Sequence, residues 1–276
     1  MPRRGTAPLP LVPALLALLA ATAATPVLAA TSFDCVMDPA RVIRLAAAAP
    51  GRIDKVEARR GQTVQEGDVI ATLESSMERA TLQVLELRAA STAAIDAQTA
   101  RVAFARAQLE RAEALERQQA QSQVKVEELR FGLALAESEL KQSEVDRRAL
   151  LAEAERARTA LENTFIRAPI SGVVLELGLS GGEFATTDKP VAILAQTDPI
   201  HVDAYLPAEL HASVAAGSKV RVMPELPAGT VIEAEVLSVD PVFDAASRTF
   251  GLRVALDNPG NRIVAGQRCR IELAGP

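Results

Sequence analysis

The sequence APGRIDKVEARRGQTVQEGDVIATLES, residues 49–75, is the strongest indication of the fold because its pattern recurs later in the chain. Its second copy reads ISGVVLELGLSGGEFATTDKPVAILAQ, residues 170–196, and a shift of 121 positions, which aligns Gly51 with Gly172, superimposes the two without a gap. Each copy has short apolar runs between turn signals, a pattern that predicts short β-strands. An internal repeat of this kind is a sign of repeated structure. We therefore expect the copies to be halves of one small β-domain.

The segment between the two copies is predicted to be helical. Residues 77–163 contain no proline and a single glycine, Gly132. Apolar residues recur there at spacings of three and four, which is typical of a coiled coil. The predicted seam consists of Val84, Ser91, Ile95, Gln98, Val102, Ala105, Leu109 and Ala112, followed by Val126, Leu129, Leu133, Ala136, Leu140, Ser143, Arg147, Leu150, Ala154, Ala157 and Leu161. Because Gln98, Ser143 and Arg147 are polar, we expect looser or wetter packing around them.

A turn divides this segment evenly. The seam becomes irregular at residues 118–122, and Ser122 can cap a new helix through its hydroxyl. We predict an antiparallel hairpin with helices near 77–118 and 122–163, each about 63 Å long at 1.5 Å per residue. An even hairpin returns the chain to its starting point, so the second β-half can pack on the first.

The last part of the chain is predicted to be a compact antiparallel β-barrel. Its candidate strands are residues 200–205, 220–222, 230–239, 250–256 and 268–273, and residues 208–215 are compatible with one short helix. Proline and glycine separate the strands, a pattern typical of small barrels.

The first 30 residues are interpreted as an export signal. Arg3 and Arg4 precede an apolar stretch at 9–24, and residues 27–29 fit a small-residue cleavage site. The alternative is an uncleaved membrane anchor, which needs about 20 continuous apolar residues. Pro10 and Pro13 interrupt this stretch and Pro26 follows it, so a cleaved signal is favoured.

The composition argues against several kinds of ligand. The formal net charge is −5, aromatic residues make up 3% of the chain, and Trp is absent. Nucleic acid is usually gripped through basic patches and stacking aromatics, so we expect no nucleic-acid partner. His201 and His211 lack a frame of carboxylates, and the chain has no CxxC motif. We therefore expect no metal site, no cofactor and no enzymatic activity.

The two cysteines, Cys35 and Cys269, lie at opposite ends of the mature chain. In an oxidising compartment an even pair favours a disulfide, and we predict one here. Two buried free thiols are the alternative. A lipid anchor on Cys35 is disfavoured because the charged Asp34 precedes it.

Four stretches in this order resemble a known family: APGRI at 49–53, RAPISG at 167–172, DPIHV at 198–202 and SRTF at 247–250. The chain resembles the periplasmic adaptor subunits, or membrane fusion proteins, of resistance–nodulation–division (RND) efflux systems. The resemblance implies an elongated fold of mixed α and β structure, in which a split lipoyl-like β-domain is interrupted by a long antiparallel coiled-coil hairpin and followed by a small antiparallel β-barrel. The implied segments are a signal peptide (1–30), an N-terminal segment with the first lipoyl-like half (31–75), the hairpin (76–164), the second lipoyl-like half (165–197) and the β-barrel (198–276).

The resemblance also implies a docking site at the hairpin tip. The family motif is Arg, three residues, Leu, six residues, Ser, and Arg111, Leu115 and Ser122 have this spacing. In the family the motif contacts a trimeric outer-membrane channel. The alternative is that Arg111 is a solvated charge, Leu115 belongs to the seam and Ser122 is only a helix cap.

The implied function is that of a periplasmic adaptor that links an inner-membrane transporter to the channel for export of small molecules, with self-association into a trimer or hexamer ring. A membrane-proximal domain is expected to be absent, because only residues 31–40 precede the first β-half and the chain ends at Pro276. Adaptors of ABC-type or type I exporters share the architecture and are the alternative. A lipoyl or biotinyl carrier would need a Lys where residues 74–76 read ESS, and a purely structural coiled coil would not need split β-halves. The cargo is not indicated.

Overall fold

The computed structural model describes Gly5 and residues 32–273. The predicted signal peptide therefore lies outside the described residues, apart from Gly5. Within the described part of the chain, no helix has both the length and the apolar character needed to cross a membrane. The strands are β1 (Ser32–Ala46), β2 (Gly51–Val56), β3 (Thr63–Val64), β4 (Val69–Leu73), β5 (Phe165–Arg167), β6 (Gly172–Leu177), β7 (Phe184–Ala185), β8 (Pro190–Pro207), β9 (Lys219–Pro224), β10 (Ile232–Val239), β11 (Thr249–Leu256) and β12 (Gln267–Leu273). The helices are α1 (Ser76–Ala90), α2 (Ala93–Arg117), α3 (Gln123–Glu162) and a 3-10 helix (Ala208–Ser213), which replaces the short helix predicted at 208–215.

The two sequence copies form one β-domain by exchanging strands. The 121-residue shift that relates the sequences also maps β2 onto β6, β3 onto β7, and β4 onto the start of β8. Strand β3 of the first copy pairs with β6 of the second, and β7 of the second pairs with β2 of the first. The amide of Gly61 donates to the carbonyl of Val174, and that of Gly182 donates to the carbonyl of Ile53, each over 2.8 Å. Neither half completes its hydrogen bonds alone, so the halves fold as one unit.

The second β-domain is a closed barrel of six strands. Its order is β1, β12, β9, β10, β11 and β8, and β8 pairs back with β1 to close it. The inward residues alternate along the strands and bury Met37, Val202, Phe250 and Ile271 almost completely. Residues 32–39 form one strand of this barrel, so the barrel contains part of the N-terminal segment in addition to the strands after residue 198. The partners of residues 32–39 in β8 and β12 are more than 160 residues away along the chain.

A two-stranded ribbon joins the two β-domains. Strands β1 and β8 pair along both, from Cys35 opposite Ala204 in the barrel to Ala46 opposite Pro190 in the lipoyl-like domain. Asn258, which is buried, secures the joint from the β11–β12 loop. Its amide nitrogen donates to the carbonyl of Thr197 at 2.9 Å, so the loop is tied to the point where β8 passes from one domain to the other.

The helical insert folds back on itself, with α1 and α2 both packed along α3. The outgoing arm is two helices, whereas the sequence predicted one continuous helix near 77–118. The break lies at Ser91, whose backbone is extended, and Thr92. Arg147 of α3 explains how the break is tolerated, because its Nε donates to the carbonyl of Ala89 at the end of α1, over 3.4 Å. A polar residue in the seam therefore gives a hydrogen-bond donor to a carbonyl at the end of α1, which an apolar residue could not supply.

The break also changes which residues of α1 face α3. Leu82 and Ala89 are buried there, and Leu85 is partly buried, whereas Val84, which was predicted for the seam, is 48% exposed. The prediction for Val84 was wrong because it extended the phase of α2 across two residues that are not helical. On α3, every position predicted for the seam is buried or partly buried. Helix α3 has no interruption, so the spacing of its apolar residues alone predicted which face is buried.

Candidate docking site at the hairpin tip

The hairpin turn is held by backbone hydrogen bonds at the end of α2. The amide of Ala120 donates to the carbonyl of Leu115 at 3.0 Å, and that of Gln119 donates to the carbonyl of Glu116 at 2.7 Å. This pair of bonds is a Schellman motif, in which the residue after the helix end adopts the left-handed conformation. Gln119 has that conformation, with φ of 61°. The turn at 118–122 predicted from the sequence is therefore found, with a defined backbone geometry.

Ser122 begins the return helix. Its backbone is extended, and its hydroxyl accepts a hydrogen bond from the amide of Lys125, three residues into α3. This is the geometry of a helix N-cap, which the sequence predicted for Ser122. Ser122 is exposed, so its hydroxyl oxygen also faces the solvent at the tip.

Arg111 and Leu115 lie one turn apart on the same face of α2. Arg111 is exposed and forms no ion pair with any residue that the structure describes. Leu115 is 44% exposed and lies outside the apolar cluster that closes the tip, which consists of Leu109, Ala112 and Val126 with Leu129 and Leu133. Leu115 is therefore not a seam residue, and both side chains are available to a partner.

Ion pairs between the arms fix the hairpin just below the tip. Arg130 of α3 contacts Glu113 of α2 at 2.9 Å, and Arg106 of α2 contacts Glu137 of α3 at 2.8 Å. Exposed pairs of this kind contribute about 0.2–1 kcal/mol each. Their main effect is to fix the register of the arms, which holds the tip residues in one arrangement.

One further exposed apolar residue lies at the tip and was not singled out from the sequence. Val124, in the first turn of α3, is exposed. The sequence could have indicated this, because Val124 is an apolar residue that falls outside the three-four spacing of the return-arm seam. Val124 and Leu115 are therefore two exposed apolar side chains on either side of the turn.

The predicted disulfide lies at the other end of the chain. Cys35 in β1 is opposite Cys269 in β12, with Cα atoms 4.9 Å apart, and the two Sγ atoms are bonded. Both side chains are buried in the barrel core. The bridge joins the N-terminal strand of the barrel to β12. Its formation in the exported protein stays a prediction.

A split β-domain that carries a helical hairpin and continues into a closed β-barrel defines the class of the membrane fusion proteins. The chain belongs to the CzcB-like barrel-sandwich hybrid family, whose model matches residues 41–196, and residues 199–276 match the CusB-like β-barrel domain of RND type. The family inferred from the sequence is thereby confirmed, and the boundary between the two models lies at the joint between the two β-domains.

Individual relatives are distant. The chain is 24% identical to the nickel-cobalt-cadmium resistance protein NccB of Alcaligenes xylosoxydans xylosoxydans and to the nickel and cobalt resistance protein CnrB of Cupriavidus metallidurans, over 83% and 82% of its length. It spans about half of these relatives, 53% of each. Among solved structures, MacA from Actinobacillus actinomycetemcomitans has the same fold, with a TM-score of 0.71 and 22% identity over 88% of this chain and 78% of MacA.

Proposed function

We propose that this protein is a periplasmic adaptor that joins an inner-membrane transporter of RND type to a trimeric outer-membrane channel. The observation that carries the proposal is the exposed pair Arg111 and Leu115 at the tip of the hairpin. Helix α3 has 40 residues, which correspond to about 60 Å of helix. A surface held so far from the β-domains contributes little to their folding and suits contact with a second protein.

The chemistry of the tip fits the end of a helical channel. The Arg111 guanidinium can donate up to five hydrogen bonds to carbonyls or carboxylates, which are the groups that a helix end exposes. Leu115 is suited to a groove between two helices, and the Ser122 hydroxyl can bond across the contact. Periplasmic location is supported by the predicted signal peptide and by the Cys35–Cys269 pair, since disulfides persist in oxidising compartments.

The same proposal extends to the number of adaptor copies in the assembly and to the exported cargo. A trimeric channel presents repeated helix ends, so a ring of three or six adaptor copies would match it. The relatives named for nickel, cobalt and cadmium resistance make these divalent cations the first cargo to test.

The test reverses the charge at Arg111. In cells that carry the chain with its transporter and channel, R111D should abolish channel cross-linking and efflux-linked resistance while secretion and thermal stability stay normal, because exposed substitutions usually change stability by no more than about 0.5 kcal/mol. S122R should act in the same direction. The matched control is R156D, which reverses an exposed arginine near the base of the hairpin and should leave both readouts unchanged. Intact cross-linking and resistance in both R111D and S122R would show that the tip is not the docking site.

A further inference from the structure

The ribbon that joins the two β-domains has a gap in its strand pairing at the joint. Strand β1 resumes its pairing with β8 after one residue, Ala40, whereas β8 resumes its pairing with β1 only after residues 197–199. On its other side, β8 pairs with β11 as far as Ile200 and with β6 from Ala195. Within the described strands, residues 197–199 therefore have no ladder partner on either side. An interrupted ladder lets strands bend, so the ribbon alone does not fix the angle between the domains.

A loop of the barrel fills this gap. The amide nitrogen of the Asn258 side chain donates to the carbonyl of Thr197 at 2.9 Å, and the backbone amide of Asn258 donates to Oδ1 of Asp198 at the same distance. The hydroxyl of Thr197 donates to Oδ1 of Asn261 at 2.6 Å. These hydrogen bonds tie the β11–β12 loop to the unpaired residues of β8.

The same loop is anchored in the barrel. Asn258 is 1% exposed, and its side chain exchanges two hydrogen bonds with the backbone of Ile263, each over 2.9 Å. Ile263 is buried in the hydrophobic core of the barrel. Asn261 has φ of 54°, a left-handed conformation that asparagine adopts more readily than most residues, and its amide donates to the carbonyl of Asn258. One side of the loop is therefore held by the barrel core, and the other side holds β8.

We propose that the β11–β12 loop is a brace that fixes the angle between the barrel and the lipoyl-like domain, with Thr197 and Asp198 as the positioning residues on which it acts. Beyond the gap, Nε of Arg41 in β1 donates to Oε1 of Gln196 in β8 at 2.9 Å, so the two strands leave the barrel together. The direction that the brace gives to β8 is therefore also the direction of the ribbon.

The hairpin makes this angle important, because its length amplifies any rotation at the joint. Helix α3 has 40 residues, which correspond to about 60 Å. A rotation of about 10°, around an axis perpendicular to the arms, moves the tip by about 10 Å over that length, which is about the diameter of one helix. A displacement of that size would carry Arg111 past a docking helix. This consequence rests on the proposed function, whereas the rigidity of the joint does not.

The experiment removes the bonds to β8 and leaves the anchor in the barrel. The double variant T197V/D198A loses the hydroxyl donor and the carboxylate acceptor but keeps the bonds between Asn258 and Ile263. The matched control is D244A. It removes an aspartate that accepts hydrogen bonds from two backbone amides in the β10–β11 loop, residues 240–248, at the opposite end of the barrel.

Double electron–electron resonance on the full-length protein measures the angle. Spin labels on noncanonical amino acids, which leave both cysteines as they are, are placed at exposed strand positions 54 and 233, one in each domain. A second pair, at positions 205 and 233, lies within the barrel. The wild type and D244A should show one narrow distance for each pair. T197V/D198A should at least double the width of the 54–233 distribution and leave the 205–233 distribution unchanged.

An unchanged 54–233 distribution in T197V/D198A would overturn the inference. Equal broadening in D244A, or of the 205–233 pair, would also overturn it, because the lost bonds would then loosen the barrel as a whole. If the double variant does not fold, T197V decides, because valine has the shape of threonine. This variant should broaden the 54–233 distribution alone, and an unchanged width would overturn the inference.

A second readout connects the brace to docking. In cells with the transporter and the channel, T197V/D198A should cross-link at least tenfold less channel than the wild type, and D244A should cross-link as much. A broadened 54–233 distribution with full cross-linking would overturn the consequence for docking. If the wild type cross-links no channel, the proposed adaptor function fails, and the spin-label distances still decide whether the joint is braced.

Discussion

The replacement of Gly172 by alanine tests the packing at the centre of the split domain. A Cβ at Gly172 would lie 2.1 Å from the carbonyl oxygen of Ala195 and 2.8 Å from its carbonyl carbon, both in the backbone of the neighbouring strand β8. Backbone atoms cannot rotate away as a side chain can. Strands β6 and β8 would have to separate by about an ångström to restore normal van der Waals contact.

The expected loss of stability follows from the separation of β6 and β8. Overpacking a core by one methyl typically costs 1–3 kcal/mol, and the ladder around Val173 and Ala195 would lose hydrogen bonds that contribute about 0.5–1.5 kcal/mol each. We expect G172A to lower the free energy of unfolding by about 2–4 kcal/mol. At roughly 2–4 °C per kcal/mol for a chain of this size, the melting temperature should fall by about 4–16 °C. Because the chain has no Trp, differential scanning calorimetry is the suitable assay.

The matched control is the same substitution at the equivalent position of the first copy. A Cβ at Gly51 would meet Cδ1 of Leu73 at 3.2 Å, and a leucine side chain can shift by a few tenths of an ångström. We expect G51A to change the stability by less than about 1 kcal/mol. Equal melting temperatures for the two variants, or a neutral G172A, would show that the backbone of β8 does not restrict the residue at position 172.

Three further predictions concern the barrel and its loops. N258A should lower the free energy of unfolding by about 2–4 kcal/mol, measured by calorimetry. The buried side-chain amide of Asn258 bonds the carbonyls of Thr197 and Ile263 and the backbone amide of Ile263, each over 2.9 Å, and alanine removes all three bonds. A melting temperature within about 2 °C of the wild type would contradict this. Mass spectrometry of non-reduced periplasmic protein should find Cys35 linked to Cys269, and two alkylatable thiols in the wild type would exclude the bridge. The free energy of unfolding of the double variant C35A/C269A should be lower by at most about 5 kcal/mol, which is the chain-entropy limit for so long a loop. The amides of Ser247 and Ala246 hold the pKa of Asp244 below its usual value, so this carboxylate stabilises the folded loop above the unfolded pKa, and the contribution is lost as the pH falls through the folded pKa. NMR titration should show that depressed midpoint for Asp244, and a midpoint at or above the usual aspartate value would contradict it.

Local sequence patterns predicted most of the secondary structure. The strands of the two copies follow the same 121-residue shift as the sequence, because each copy encodes its own turns and apolar positions. The seam of α3 follows the three-four spacing over its whole length, since an uninterrupted helix turns by a constant angle per residue. The same rule failed on the outgoing arm, where Ser91 and Thr92 leave the helix and reset the phase, so Val84 is exposed.

The repeat, the helical insert, the position of its turn and the candidate residues at the tip could all be predicted from the sequence, because each depends on residues that are close along the chain. Three features are visible only in the folded chain: β3 and β7 exchange between the halves, residues 32–39 complete the barrel, and Leu115 lies outside the seam cluster. The folded chain also shows that Gly172 has backbone against it while Gly51 has a movable side chain, although the two are equivalent in the repeat. The exchanged strands pair across more than 100 residues, whereas the two glycines and Leu115 have their neighbours within about 25 residues. In each case a local pattern specifies which face of an element is apolar but not which partner covers it.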